Sequence, residues 1–350
     1  MSAIGPPDGA DPDDVRRHLD DLTKPPGSLG RLEGLAVRLA RIYGDPPPPL
    51  RNRAVAVLAG DHGVARRGVS AYPRKVTVQM CRNLATGGAA INAIAGAAGA
   101  RVVVADLGVD GALDGVPGLR AHKVRRGTRD MVEGPAMTRE EAARAIEEGV
   151  ALFEAEVERT HVVALGEMGI GNTTAASALA AAYLDRDAGE VVGSGTGLSP
   201  ARRKEKVEVV RRAVRRIRDV EDPLDILAEV GGLEIAGLVG IVLAAARHRR
   251  AVVTDGFIAT GAALATVRLC PAVRDYLFAS HVSPEPGHPI VLKALGLEPL
   301  FDFEMRLGEG TGAALALPIL DAAGSLLREM ATFSSAGVSG PDDEPEGGQP

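Results

Sequence analysis

Tryptophan is absent from this 350-residue chain, and aromatic residues make up only 3% of it. Large rings therefore cannot fill the interior. Cysteine occurs twice, at Cys81 and Cys270, far apart and with no ligand-type spacing around either. That excludes a disulfide framework or a structural zinc site and leaves two reduced thiols. Basic charge is not in excess: the formal net charge is −6, which gives no general affinity for nucleic acid or anionic membranes. Long apolar runs are missing too. The most apolar stretch, Leu233 to Ala246, is too short to span a bilayer and carries Glu234. With the glycines at 231 and 232 it is a candidate for part of a subunit interface. The first residues (MSAIGPPDGADPDD) are polar and acidic, without the basic-then-apolar order of a signal peptide. The expected location is the cytoplasm.

What is present is small and aliphatic. Apolar residues make up 45% of the chain and glycine contributes 43 positions, the palette of a parallel sheet covered by helices on both faces. Runs with strand character lie at 54–60, 101–109, 161–169, 190–197, 251–257 and 276–283, with a weaker one at 300–310. Helical stretches such as 138–158, 204–219 and 258–267 alternate with them, and another, at 30–42, precedes a proline run at 46–49. This rhythm predicts an α/β fold with a doubly wound parallel sheet and right-handed crossovers. Both ends, 1–12 and 334–350, read as disordered because they hold too little apolar surface to order themselves.

Nearly every apolar run ends in glycine mixed with reactive or polar residues. Examples are Gly60-Asp61-His62, Gly166-Glu167-Met168-Gly169, Thr254-Asp255-Gly256 and Ser280-His281-Val282-Ser283. In a parallel sheet these ends share one edge, where open α/β folds bind ligands. In HVVALGEMGIGNTTAASAL, Gly169 and Gly171 permit close backbone approach and Asn172 or Thr173 caps the following helix, a strand–loop–helix arrangement suited to an anion. No Gly-Lys-Ser/Thr follows, so it is not a Walker loop, and the Gly-x-Gly-x-x-Gly order of dinucleotide folds is not met. A tight structural turn would explain these glycines but not Glu167 beside them.

Asp61 and His62 form a pair that is as often a structural contact as an acid–base device; Ser70 and Gln79 can hydrogen-bond a heterocycle. Glu309 sits between Gly308 and Gly310, followed by Thr311 and an apolar helix. A carboxylate held away from bulk water has a raised pKa, which suits a general base, although an acid at a helix start also has a purely dipolar explanation. The basic stretch RRKEKVEVVRRAVRRIRD is interleaved with Glu205 and Glu208 and reads as a solvated helix face. Its Lys206, following the Gly195 loop, can reach a phosphate, and Ser280 and Ser283 are candidate phosphate donors.

In number and order, the segments LTKPPGSLGRLE, AGDHGV, VSAYPRKVTVQM, GTRDMVEGPAMT, GEMGIGNTTAASAL, GTGLS, VGGLEIAGLVG, VVTDGF, SHVSPEPGH and RLGEGTGAAL closely resemble the nicotinate-nucleotide:dimethylbenzimidazole phosphoribosyltransferase family of cobalamin nucleotide-loop assembly. The likeness runs from about Leu22 to Leu320. It implies transfer of the phosphoribosyl group of nicotinate mononucleotide to 5,6-dimethylbenzimidazole, with inversion at C1′, giving α-ribazole 5′-phosphate and nicotinate. It implies no cofactor and no metal, small-molecule substrates, and a homodimer. Glu309 matches the family's catalytic glutamate, Glu167 its second active-site glutamate, and Lys206 the lysine after the GTGL loop. Ser70 and Gln79 fall in the segment lining the base pocket. The implied architecture is a Rossmann-like large domain (51–312) and a small helical domain built from both chain ends (13–50 and 313–333).

Four other readings compete. A related phosphoribosyltransferase would act on another base, while one using phosphoribosyl pyrophosphate would want an acidic metal-binding pair that is not found. A non-catalytic nucleotide-binding protein would not need Glu309 and Glu167. A nicotinamide-dependent dehydrogenase lacks its glycine fingerprint.

Overall fold

The computed structural model describes residues 4–339. They divide into two compact units, Arg51–Leu317 with the N-terminal residues up to Pro6, and Pro7–Leu50 with the segment from Pro318 onward.

The first unit is built on six parallel strands: β1 (Arg53–Gly60), β2 (Ala100–Gly108), β3 (Leu119–Ala121), β4 (Val162–Met168), β5 (Ala251–Thr254) and β6 (Leu277–Ala279). Their order in the sheet is β3-β2-β1-β4-β5-β6, the doubly wound Rossmann arrangement. β1 lies at the centre, pairing in parallel with β2 on one side and β4 on the other. Seven of its eight residues are buried, which is why RAVAVLAG reads as a continuous apolar run rather than an alternating one.

Small residues replace rings as the packing device. The helix Leu233–Arg247 is buried along almost its whole length and packs against the helix Arg139–Leu152. A Cβ on Gly240 would lie 2.0 Å from the carbonyl oxygen of Ile146, so the two backbones meet directly. The stretch 231–246 is therefore consumed by the interior of its own unit and is not available as the subunit interface its apolarity indicated.

Five of the seven strand-like runs are strands, and two are not. The segment 190–197 begins as the end of a short helix, Ala188–Val191, capped by Asp187. It then becomes a loop in which Gly195 and Gly197 take positive φ. The segment 300–310 makes one isolated bridge, between His281 and Phe301, and then breaks away. Positive φ at Glu304, Gly308, Glu309 and Gly310 rules out a strand there. β3 is a three-residue edge strand too short to show as an apolar run.

The second unit is helical. Helices Pro12–Asp21 and Arg31–Tyr43 bury Val15, Leu19, Ala36, Val37 and Ala40 together with Leu22 and Leu327. The half-buried Ala10 packs on this cluster. Buried Lys24 is paired to Glu33 at 2.9 Å. Residues Phe333–Ala336 form a short helix with Thr332 as its cap, whereas residues 340–350 of the acidic tail lie outside the described residues. Among the described residues, no helix is long and apolar enough to cross a membrane.

Candidate active site

The sheet changes winding direction between β1 and β4, where a crevice opens beyond the carboxyl ends of the strands. A cleft of about 540 Å³ lies at this edge, lined by the loops after β4, β5 and β6, by the 193–197 loop and by residues 306–309. It brings together Glu167, Gly169, Asn172, Thr173, Gly195, Asp255, Ser283, Gly308 and Glu309 from sequence positions more than a hundred residues apart.

One end of the cleft is rich in carboxyl groups. Gly308, Glu309 and Gly310 all adopt left-handed backbone, with φ of 88°, 63° and 88°. For a non-glycine residue this costs about 1–2 kcal/mol, so the turn must be held by its surroundings. It is held at three points. The two carboxylate oxygens of Asp255 accept from the Gly310 N–H at 3.2 Å and the Ala313 N–H at 3.0 Å. The Thr311 hydroxyl donates to the Gly308 carbonyl at 2.8 Å. The turn also lies directly on β4, where a Cβ on Gly166 would meet the Glu309 carbonyl at 2.5 Å. Gly310 and Thr311 thus support the turn, and Glu309 is what the turn presents. Its side chain is buried, yet Oε2 has no hydrogen-bond partner. Burial pushes its pKa up, the Ile91 backbone draws it partly back, and the charge of Asp255 adds to the rise.

Glu167, the penultimate residue of β4, faces this turn: a Cβ on Gly308 would lie 2.5 Å from its Oε1. Its other oxygen accepts from the Asn172 side-chain amide. Burial, and then the charges of Asp255 and Glu234, push Glu167 up to about 8, against the pull of Asn172. Neighbouring carboxyls cannot all ionise in a space with little water, so one of them keeps a proton at neutral pH.

The opposite end is built for an anion. The helices Asn172–Leu184 and Phe257–Leu269 begin at Gly171 and Gly256, and neither start receives a side-chain cap. In the first helix the Asn172 and Thr174 N–H groups already donate to the Gly169 and Gly171 carbonyls, so what both starts offer a ligand is chiefly the positive end of the helix dipole. Lys206 is fully buried and donates to the Thr173 hydroxyl at 2.9 Å. Burial lowers its pKa to about 8, while Glu285 works in the other direction. Ser283 and Arg203 complete this end.

Other expected site residues stand elsewhere. His62 is buried, with Nε2 2.6 Å from Glu234 Oε1. Asp61 and Gln79 line a separate recess of about 400 Å³ with Arg74 and Lys75. The Asp61 carboxylate accepts from the Asp110 N–H at 2.8 Å. On the helix Lys75–Ala85 it is Val76 and Met80, not Gln79, that reach the cleft. Ser70 touches the cleft wall through Thr196, hydroxyl to hydroxyl at 3.1 Å. Ser280 turns inward, its hydroxyl 3.0 Å from His281 Nδ1.

Sequence reasoning passed over Arg203 and Glu285. Arg203 had a signal, since it precedes Lys206 by three residues on one helix and so shares its face. Glu285 had none: it acts on Gly195, ninety residues away in the chain.

Fold and cleft together define an α/β protein of the Rossmann type whose cleft at the sheet's switch point has carboxyl groups at one end and a buried lysine at the other. A family model described as phosphoribosyltransferase matches residues 4–338. The nicotinate-nucleotide–dimethylbenzimidazole phosphoribosyltransferase of Desulforamulus reducens is 51% identical over 342 residues, 97% of each chain. That of Halalkalibacterium halodurans is 52% identical over 328 residues, 93% of this chain and 92% of its own. The crystal structure of the enzyme of that name from Thermus thermophilus superposes with a TM-score of 0.90 at 48% identity, covering 94% of this chain and 98% of the other. The chain belongs to the nicotinate-nucleotide–dimethylbenzimidazole phosphoribosyltransferase family.

Proposed function

We propose that the chain transfers the phosphoribosyl group of nicotinate mononucleotide to 5,6-dimethylbenzimidazole, with Glu309 as general base. The observation that carries this reading is the buried, unpartnered Glu309 oxygen on a turn facing Glu167, in one cleft with the Lys206 anion site.

Nicotinate leaves from a ribosyl pyridinium that is already cationic, so its departure needs no activating metal. The base nitrogen attacks C1′ while the C1′–N bond breaks, and the bonding pair returns to the pyridine ring. The azole N–H proton passes to Glu309. Attack on the face opposite the leaving group converts a β-ribosyl bond to an α-ribosyl bond. Glu167, pushed up to about 8 by burial and the charges of Asp255 and Glu234, is the neighbour that holds a proton, and Glu309 is the carboxyl that accepts one, a division of roles between neighbouring carboxyls. The phosphate docks at the helix starts beside Lys206, Thr173 and Ser283, which fixes C1′ near the carboxyl end.

Val76, Met80, Met168 and Ile170 give the cleft an apolar wall suited to a flat aromatic base. The test is a two-substrate assay with stereochemical analysis of the product. Formation of the α-anomer by wild type, lost in Glu309→Gln, supports the reading; wild-type-like turnover of that variant with both substrates saturating refutes it.

The reading includes a homodimer working in the cytoplasm. Phe303 and Leu307, 66% and 59% exposed, together with Tyr72 leave large apolar groups uncovered, and Leu307 and Tyr72 stand in the cleft wall. Light scattering giving twice the chain mass is the expected result. Cys81 and Cys270 are free thiols, as a reducing compartment would keep them.

A further inference from the structure

The anion end of the cleft already contains an anion. Glu285, in the loop after β6, accepts the Gly195 N–H through Oε1 at 2.8 Å, while its Oε2 is buried with no partner. The carboxylate lies against Gly193, where an added Cβ would fall 2.3 Å from Oε2. Gly195 is equally close to the cationic side: a Cβ there would sit 3.1 Å from Lys206 Nζ. One residue of the loop thus touches both the carboxylate and the ammonium, in the place where a phosphomonoester would find its donors.

We propose that Glu285 is a built-in competitor for the phosphate, holding the Gly195 N–H in the unliganded protein and yielding it when a phosphomonoester enters. This rests on the functional reading above for the identity of the anion. A permanent loop staple would have both oxygens satisfied, because buried acceptors without partners are rare and costly. Glu285 has one carboxylate oxygen satisfied, by the Gly195 N–H, and the Lys206 ammonium, which donates to Thr173, is not spent on it. The arrangement places a carboxylate in the cradle and raises the threshold for weak anions. A dianionic phosphate, with more acceptor oxygens and greater charge, wins the exchange.

The test compares wild type with Glu285→Gln, which keeps the shape and the acceptor but removes the charge. Inorganic phosphate is titrated calorimetrically into each protein, and KM is measured separately for nicotinate mononucleotide and for dimethylbenzimidazole. Glu285→Gln is expected to bind phosphate about tenfold more tightly, as removal of one nearby like charge predicts. KM for the mononucleotide should fall comparably, with KM for the base unchanged. In Gly193→Ala the added methyl displaces the carboxylate without deleting it, and phosphate binding should tighten as well.

Unchanged phosphate affinity in both variants, or no phosphate binding by any of the proteins, would overturn the proposal. A raised mononucleotide KM in Glu285→Gln would also overturn it, by making Glu285 a substrate contact. The phosphate titration does not depend on turnover. Wild type that forms no α-ribazole phosphate would therefore refute the functional reading and leave the Glu285 comparison to stand or fall alone.

Discussion

The two ends of the cleft are opposites in charge and in how that charge is held. At one end Glu309, Glu167 and Asp255 crowd together, and burial drives their protons on. At the other, Lys206 is stripped of water until its proton is loosened to a pKa of about 8. Each end is costly alone, and together they orient a ligand. A phosphate is repelled from the first and drawn to the second, while a cationic sugar–pyridinium linkage is favoured where the carboxyls are. The field thus aligns the substrate before any contact specific to the base is made.

Neutralising Glu309, the proposed base, should break this polarity most severely. Glu309→Gln is expected to lower kcat by about 10²–10⁴-fold, measured at saturating concentrations of both substrates, with KM for the mononucleotide little changed. The opposite end should respond in the opposite parameter. Lys206→Met, which keeps the buried stem, should raise KM for the mononucleotide by roughly 10–100-fold, the scale of a lost charge-assisted hydrogen bond, and lower kcat less. Equal losses in kcat and kcat/KM would show that Lys206 acts mainly in the transition state.

The pH profile sharpens the comparison further. A base whose pKa is raised above the ordinary carboxyl value is inactive below that pKa, so kcat/KM climbs as pH rises through it. Glu167 is protonated below about 8; above that it ionises and adds charge beside Glu309, so kcat/KM falls again. In Glu167→Gln the acid limb should stay and the alkaline fall should lessen to the part set by Lys206, which loses its proton in the same range; an alkaline limb identical to wild type would remove Glu167 from this role. The smallest effect belongs to chelation. If the chain's own Lys206 and helix starts neutralise the phosphate, EDTA leaves the rate within experimental scatter of the untreated enzyme.

Much of the cleft edge was legible because parallel strands report their ends. Apolar runs closing on Gly-Glu, Asp-Gly or Ser-His placed Glu167, Asp255 and Ser283 at one edge before any coordinates. The parallel, doubly wound sheet and the family were legible in the same way, whereas the strand order came from the structure. What was not legible depends on contacts distant in sequence or on the facing of one helix. His62 stays open between a structural contact and a substrate contact until Glu234, 172 residues later, is found against it. Gln79 and Met80 are adjacent, and only the helix's rotation decides that Met80 faces the cleft and Gln79 the neighbouring recess. The run at 300–310 resembled a strand because backbone handedness leaves no trace in hydropathy. Glycines on both sides of Glu309 were the one visible hint of its left-handed turn.

The exposed ring of Tyr72 has an optical consequence. The chain has four tyrosines and no tryptophan, so tyrosine emission is not drained to an indole. Tyr183 and Tyr276 are buried, whereas Tyr72 stands 56% exposed in the cleft wall. Seating an aromatic base against it should quench ultraviolet emission in proportion to occupancy. Loss of that signal in Tyr72→Phe would identify its source. The unmodified protein thus carries its own fluorescent gauge of site filling.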